Sequence, residues 1–219
     1  MQRVHAWIIK NAIVLSKYSG EKNSRIMAKS DITVKQFKTV SKEDADYLAS
    51  LINTVPGFPN PNIIFRDFLP VFSSPRGLGI LIDALIDCLP VSVDSFDLVA
   101  GLEARGFLFG PVLAERLGKG FIPVRKAGKL PPEVISESYS LEYGEAKIEI
   151  EKSAIKPGQR VLIVDDLIAT GGTAKAAARL IERSEGKVAG FSFVMELTGI
   201  SGMSELSSYP CSSLMTMPA

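Results

Sequence analysis

The chain has 219 residues, 46% of them hydrophobic and 22% charged, with a net charge of +1; this suits one sizeable α/β domain and gives no bulk electrostatic case for nucleic acid or a membrane surface. His5 is the only histidine, which excludes Ser-His-Asp triads, histidine-rich metal sites and a histidine general base. Cys88 and Cys211 have neither metal-ligand nor redox spacing, so free thiols in a reducing cytoplasm are expected, and no run of about 18 apolar residues predicts a membrane helix.

The first stretch, residues 1–26, is the least interpretable. Ala6 to Leu15 is apolar but interrupted by Lys10, and Ser16 to Arg25 is polar. A signal peptide is a poor account, because the core is short and no small-x-small cleavage site follows. Met27-Ala-Lys-Ser would make an ordinary start. Residues 1–26 are therefore expected to be a disordered extension or a matter of start-site assignment, with an amphipathic docking segment as the alternative. Residues 27–219 are expected to form one domain.

Ser41-Lys-Glu-Asp44 resembles a capping box and predicts a helix through about Asn53, with Leu48, Leu51, Ile52 and Val55 facing inward. Three prolines within Val55–Asn62 predict an ordered loop leading into Ile63–Asp67. Ser74-Pro75 opens a helix to about Leu89, with Leu78, Leu81, Ile82, Leu85 and Ile86 facing the core. Asp97–Gly101 reads as a buried strand, Gly106–Leu117 as a helix stopped by Gly118, and Gly120–Arg125 as the next strand. Lys126–Glu137 lacks periodicity and predicts a long mobile loop, of the kind that often carries function. Ser140–Tyr143 and Ala146–Glu151 read as strands around a Gly144 turn. Val188–Glu196 is a strand, Ser201–Leu206 a short helix and Cys211–Met215 a last strand. Strands alternating with helices predict a mainly parallel sheet with right-handed crossovers. Its ligands would lie beyond the carboxyl ends of the strands.

The stretch from Arg160 to Thr173 carries the strongest chemistry. Val161–Val164 is a continuous apolar run after a Lys156-Pro157-Gly158 turn, as expected of a strand buried on both faces. Asp165 and Asp166 follow at its carboxyl end. Ala169, Thr170, Gly171, Gly172 and Thr173 then form a small-residue loop before a helix starting near Ala174. A loop of N–H groups and hydroxyls at a helix N-terminus binds phosphate well. Adjacent carboxylates repel and need a partner; they suit ribose hydroxyls, or a metal ion held by the ribose. A ligand with a 5′-phosphate and a cis-diol satisfies both halves. The stretch is neither a Walker loop, since no Gly-Lys-Ser/Thr follows, nor a dinucleotide fingerprint.

Val161–Thr173 resembles the phosphoribosyl pyrophosphate signature of type I phosphoribosyltransferases. Phe65-Arg66-Asp67, Gly101–Gly110, Arg125–Pro131 and Ser138–Gly144 are similar to blocks of the adenine phosphoribosyltransferase family, in that family's order, and the likeness spans about Leu48 to Glu196. It implies an α/β type I phosphoribosyltransferase fold: a twisted, mainly parallel sheet flanked by helices, a small N-terminal hood (about 41–70), a core (about 71–219) and a flexible catalytic loop. It also implies a cis peptide between Glu103 and Ala104. Arg105 would hold pyrophosphate oxygens beside Gly101 and Gly106, which allow close backbone approach. Arg125, Lys126 and Lys129 would approach the pyrophosphate as the loop closes. Glu142 would be the acid/base group at the purine, its pKa raised by desolvation, with Tyr143 packed beside it or on the ribose side. Phe65 would stack on the base while backbone groups of Ile64 and Arg66 read its edge.

The implied reaction is Mg2+-dependent transfer of 5-phosphoribosyl from 5-phosphoribosyl 1-pyrophosphate to adenine, giving AMP and pyrophosphate, in a cytoplasmic homodimer. Asp165 and Asp166 would meet the metal only indirectly, through ribose or water. Arg125 or its neighbours would be the residues to reach across a dimer. One alternative is the same chemistry on hypoxanthine, guanine or xanthine. Another is a non-catalytic sensor of phosphoribosyl pyrophosphate that binds nucleic acid; the near-neutral charge and the Glu142 carboxylate argue against it.

Overall fold

The structure is a computed structural model, and it describes residues 31–58, 61, 63–141 and 144–219. In chain order its elements are β1 (Thr33–Val34), α1 (Lys42–Ser50), β2 (Asn53–Pro56), β3 (Ile64–Asp67), α2 (Pro75–Asp87), β4 (Leu98–Leu102), α3 (Gly106–Arg116), β5 (Gly120–Lys126), β6 (Val134–Leu141), β7 (Gly144–Glu151), β8 (Arg160–Ile168), α4 (Gly172–Arg183), β9 (Lys187–Thr198) and β10 (Cys211–Pro218). Residues 1–26 lie outside the described residues.

Local sequence explains the helix boundaries. Ser41 Oγ accepts from Asp44 N at 3.1 Å to start α1, and Ser74 Oγ accepts from Gly77 N at 3.0 Å to start α2, with Pro75 in the first turn. Beyond the end of α3, Gly118 takes φ +65°, a conformation that costs glycine little.

One eight-stranded sheet runs in the order β1-β10-β9-β8-β4-β5-β7-β6, and β2 with β3 form a separate two-stranded sheet. Strands β10, β9, β8, β4 and β5 are parallel neighbours. Strands β1, β7 and β6 add antiparallel edges. From β4 the chain crosses through α3 to β5, and from β8 through α4 to β9, in the opposite direction along the sheet. The β4/β8 seam is therefore the switch point, where an open sheet leaves a crevice. The alternating side chains of β8 serve two cores. Leu162 and Val164 pack with Leu81, Leu85, Phe109 and Leu113 of α2 and α3, whereas Val161 and Ile163 pack with Ala177, Leu180 and Ile181 of α4.

Several expectations are corrected. β2 occupies the start of the stretch expected to be a loop, and Val55 lies on it, 39% exposed. A proline is tolerated there because Pro56 faces Ile64 at a position that exchanges no hydrogen bonds. In α2, Leu78 and Ile86 are only half-buried, and Ile80 is buried in addition to the residues expected. β6 begins at Val134, so the loop after β5 is 127–133; Val134–Glu137 have too polar a pattern to stand out, yet they pair with Ile148–Glu151. Gly144 opens β7, and the helical turn near Leu206 is a short 3-10 segment, Ser204–Leu206.

Candidate active site

Strand β8 runs past the acidic pair. Its ladder with β9 continues to Ile168↔Glu196, while its ladder with β4 stops at Gly101↔Val164. Asp165 and Asp166 therefore lie within the strand, and the edge that β4 abandons is open beside them. β4 leaves because it turns at Leu102–Arg105 into α3, and the peptide between Glu103 and Ala104 is cis. The turn packs close to β8: a Cβ on Gly106 would stand 2.8 Å from the Val164 carbonyl oxygen.

Arg105 leads into α3 from this turn, and its Nε lies 2.9 Å from Asp166 Oδ2. The two are close enough for an ion pair but not aligned as a hydrogen bond, so this buried oxygen accepts none. Asp166 is 2% exposed and Asp165 half-buried. Enclosure by the fold pushes the pKa of both carboxyls up. Asp165 is raised further by the charge of Asp166, and Arg105 offsets part of the rise on each. In this state Arg105 serves as counter-ion to the acidic pair.

Downstream, α4 starts on Gly171 at φ +78°, and no side chain caps it. The N–H groups of its first turn are thus presented to a ligand. The loop is tightly buttressed: a Cβ on Gly202 would meet the Ala169 carbonyl oxygen at 2.1 Å, and one on Gly171 would meet the Gly202 carbonyl oxygen at 2.8 Å. The Thr173 hydroxyl lies 3.3 Å from that of Tyr139 on β6. Tyr139 is buried, and burial raises its pKa. Two residues earlier on β6, Glu137 is held by Arg179 at 2.6 Å and Arg183 at 2.7 Å, both from α4. These arginines hold its carboxyl below the usual range. The β6–β7 hairpin is thereby fastened to the helix that follows the Ala169–Gly171 loop.

The basic segment is organised by two acids. Glu103 Oε2 accepts from Arg125 Nε at 3.2 Å and from Lys126 N at 3.0 Å. Glu149, 4% exposed on β7, accepts from Lys129 N at 3.1 Å and Leu130 N at 3.3 Å through Oε1. Arg125 also donates to the Lys129 carbonyl at 3.0 Å. Arg125 thus folds back onto its own loop.

In the small sheet, Gly57 N donates to the Ile63 carbonyl at 2.7 Å. This fixes the phase of the ladder, so that Val55–Phe65 exchange hydrogen bonds while Thr54–Arg66 and Pro56–Ile64 do not. The N–H and C=O groups of Ile64 and Arg66 consequently face the other edge of β3, which carries no strand among the described residues. Phe65 meets Phe58 edge-on at 5.3 Å. The Arg66 side chain is buried and held by Asp31 and Thr54.

Glu142 and Tyr143 lie outside the described residues. Asp165, Asp166 and Arg105 come together at one seam, with Tyr139 joined to Thr173. Arg125 and Lys126 end β5 and Lys129 follows in the loop 127–133, and Ile64, Phe65 and Arg66 lie on the separate sheet. Tyr139, Glu149, Gly202 and Asp31 belong to no chemical motif of the sequence, and Glu103 enters there only through the implied cis peptide. Only the Ile148/Ile150 alternation, which places Glu149 between two inward residues, carried a signal.

A strand with an acidic pair, an uncapped glycine start to the next helix and a basic loop define a phosphoribosyltransferase-type site. The phosphoribosyl transferase domain model matches residues 90–207. Adenine phosphoribosyltransferase of Bifidobacterium adolescentis is 66% identical over 193 residues, covering 88% of this chain and 100% of the relative. The crystal structure of the Rhodothermus marinus adenine phosphoribosyltransferase matches with a TM-score of 0.74 at 46% identity, covering 81% of this chain and 100% of that one. That of the Saccharomyces cerevisiae enzyme, complexed with an imino-altritol bisphosphate and adenine, matches with a TM-score of 0.72 at 47% identity, covering 78% and 98%. The chain belongs to the adenine phosphoribosyltransferase family, and its fold is the type I phosphoribosyltransferase fold.

Proposed function

We propose that this chain transfers the 5-phosphoribosyl group of 5-phosphoribosyl 1-pyrophosphate to N9 of adenine, releasing AMP and pyrophosphate. The observation that carries this reading is the β8–α4 segment. It sets two adjacent carboxylates, one oxygen of which accepts no hydrogen bond, immediately before a helix start whose N–H groups no side chain caps. The 66% identity to an adenine phosphoribosyltransferase supports adenine over the other purines.

In this account Ala169, Thr170, Gly171, Gly172 and Thr173 cradle the 5′-phosphate, and Asp165 and Asp166 take the ribose hydroxyls. Arg105 turns from Asp166 to the pyrophosphate, joined by Arg125, Lys126 and Lys129 as their loop rearranges. The bond from C1′ to the pyrophosphate oxygen breaks and the bond to N9 forms, through a transition state with oxocarbenium character. Positioning and electrostatics therefore carry the rate. Ile64 and Arg66 read the base edge through their backbone, Phe65 stacks on it, and Glu142 accepts the purine proton, with Tyr143 assigned either to Glu142 or to the ribose.

Among the described residues no cluster of three or more His, Cys, Asp or Glu side chains is placed to hold a metal ion. Two carboxylates on one strand fit an ion ligated mainly by substrate oxygens, with Asp165 and Asp166 reaching it through ribose or water. Mg2+ bound in that way would neutralise the leaving pyrophosphate.

The assembly is a homodimer in the cytoplasm on this account. Leu108 and Val112, one turn apart on α3, are 42% and 37% exposed and suit a second copy, and the thiols of Cys88 and Cys211 are free. Light scattering on the purified protein tests the dimer.

Phosphorus NMR of a mixture with phosphoribosyl pyrophosphate, Mg2+ and adenine tests the reaction. Pyrophosphate must appear in step with AMP and only when adenine is present. Release without adenine would make the chain a hydrolase and contradict the account.

A further inference from the structure

We infer that Asp31 is a positioning residue for the purine, acting through Arg66. The inference rests on Ile64, Phe65 and Arg66 forming the adenine site. Arg66 is 4% exposed, and its guanidinium is gripped from two sides. Asp31 receives NH1 at 3.3 Å and also NH2, and Thr54 Oγ1 receives NH1 at 2.7 Å. Its Nε is buried without a hydrogen-bond partner among the described residues, and Asp31 is the carboxylate paired with the guanidinium there. A buried ion pair is weak evidence for net stability, because desolvation offsets the attraction. Its better-attested use is to fix one register over its alternatives.

The register at stake is that of β3. Side chains alternate along a strand, so Arg66 and Phe65 point to opposite faces. Anchoring Arg66 on one face commits Phe65 to the other. Together with the β2 ladder it holds the rotation of β3 about its own axis, which aims the N–H and C=O groups of Ile64 and Arg66 at the free edge. Both elements of base recognition, the stacking face and the edge groups, are thus braced by one guanidinium. That guanidinium is set in turn by an aspartate 35 residues earlier. The 5′-phosphate loop and the acidic pair belong to the β8–α4 segment and do not share this anchor. The pair therefore bears on the purine and not on the sugar phosphate.

The test is steady-state kinetics of the full-length Asp31→Asn protein, with both substrates varied. Asp31→Asn keeps the shape and leaves Arg66 without its counter-ion. The adenine KM should rise about tenfold and the phosphoribosyl pyrophosphate KM should stay within about twofold; Asp31→Glu should recover part of the loss. An unchanged adenine KM, or an equal rise in both KM values, would overturn the inference. If Asp31→Asn does not fold, Thr54→Val removes one neutral acceptor from the same guanidinium and must give the same selective rise, about threefold. No rise there would overturn it too. A wild-type protein that forms no AMP would instead remove the adenine reading, and this inference with it.

Discussion

Arg105 Nε stands 2.9 Å from Asp166 Oδ2, joining the turn after β4 to the carboxyl-terminal part of β8 across the seam where the two strands part. The guanidinium that phosphoribosyl pyrophosphate would recruit is therefore engaged with the acidic pair. On the proposed account, substrate binding would exchange one anionic partner of Arg105 for another.

Replacing Arg105 by Met should weaken phosphoribosyl pyrophosphate binding at least about tenfold, since a charge-assisted contact is lost. It should also lower stability by about 1–2 kcal/mol, less than the full cost of breaking a buried pair because Arg105 is 26% exposed. Calorimetric titration and urea unfolding measure the two effects. Unchanged binding would remove Arg105 from the pyrophosphate site.

The Ala169–Thr173 loop depends on a glycine outside its own motif. In Gly202→Ala the new methyl would lie 2.1 Å from the Ala169 carbonyl oxygen, so backbone must move. Overpacking of this kind costs about 1–3 kcal/mol. The displaced loop should raise the phosphoribosyl pyrophosphate KM more than the adenine KM. Equal KM changes would show that the loop tolerates the shift.

Much of this site was legible because its chemistry is local. Asp165, Asp166 and Thr170–Thr173 sit on consecutive residues with the strand and helix that present them, and Ser41 and Ser74 each announce a helix within four residues. The partners that set the geometry were not legible, because they come from distant segments. Glu149 reaches back to Lys129 and Gly202 to Ala169, whereas Asp31 reaches forward to Arg66 and Tyr139 to Thr173. Nothing in the neighbourhood of any one of them names the other. β2 was hidden by Pro56 and the prolines that follow it, and the first half of β6 by a polar pattern that only its pairing with β7 resolves.

Glu149 holds the basic loop by accepting the N–H groups of Lys129 and Leu130. Glu149→Ala leaves both donors without this acceptor, at a cost of about 1–3 kcal/mol where the N–H stays out of water, as on half-buried Leu130, and less on exposed Lys129. Turnover should fall while the adenine KM is kept, and limited proteolysis should cut sooner within 127–133. Glu149→Gln, which retains an acceptor oxygen, should fall between the two. Wild-type turnover in Glu149→Ala would exclude this positioning role.

Acid stability should report on the Asp97–Arg160 pair, a fork with contacts of 2.7 and 3.1 Å. Hydrogen bonds from the Arg160 side chain and backbone hold the Asp97 carboxyl down at about 2, from an ordinary value of 3.8. A carboxyl depressed on folding contributes stability that is present above the ordinary value and is lost as pH falls towards the depressed one. Asp97→Asn should therefore be less stable than wild type at neutral pH, and the difference should shrink between pH 3.8 and about 2. Urea midpoints across that range measure it, and a gap independent of pH would contradict the assignment.

The central claim is that the crevice at the β4/β8 seam serves adenine transfer. The most direct test is nucleotide formation from phosphoribosyl pyrophosphate and Mg2+ with adenine, hypoxanthine, guanine or xanthine supplied separately. The account predicts AMP from adenine at a kcat/KM far above that for any other base. No AMP from adenine, or a preference for a 6-oxo purine, would contradict it.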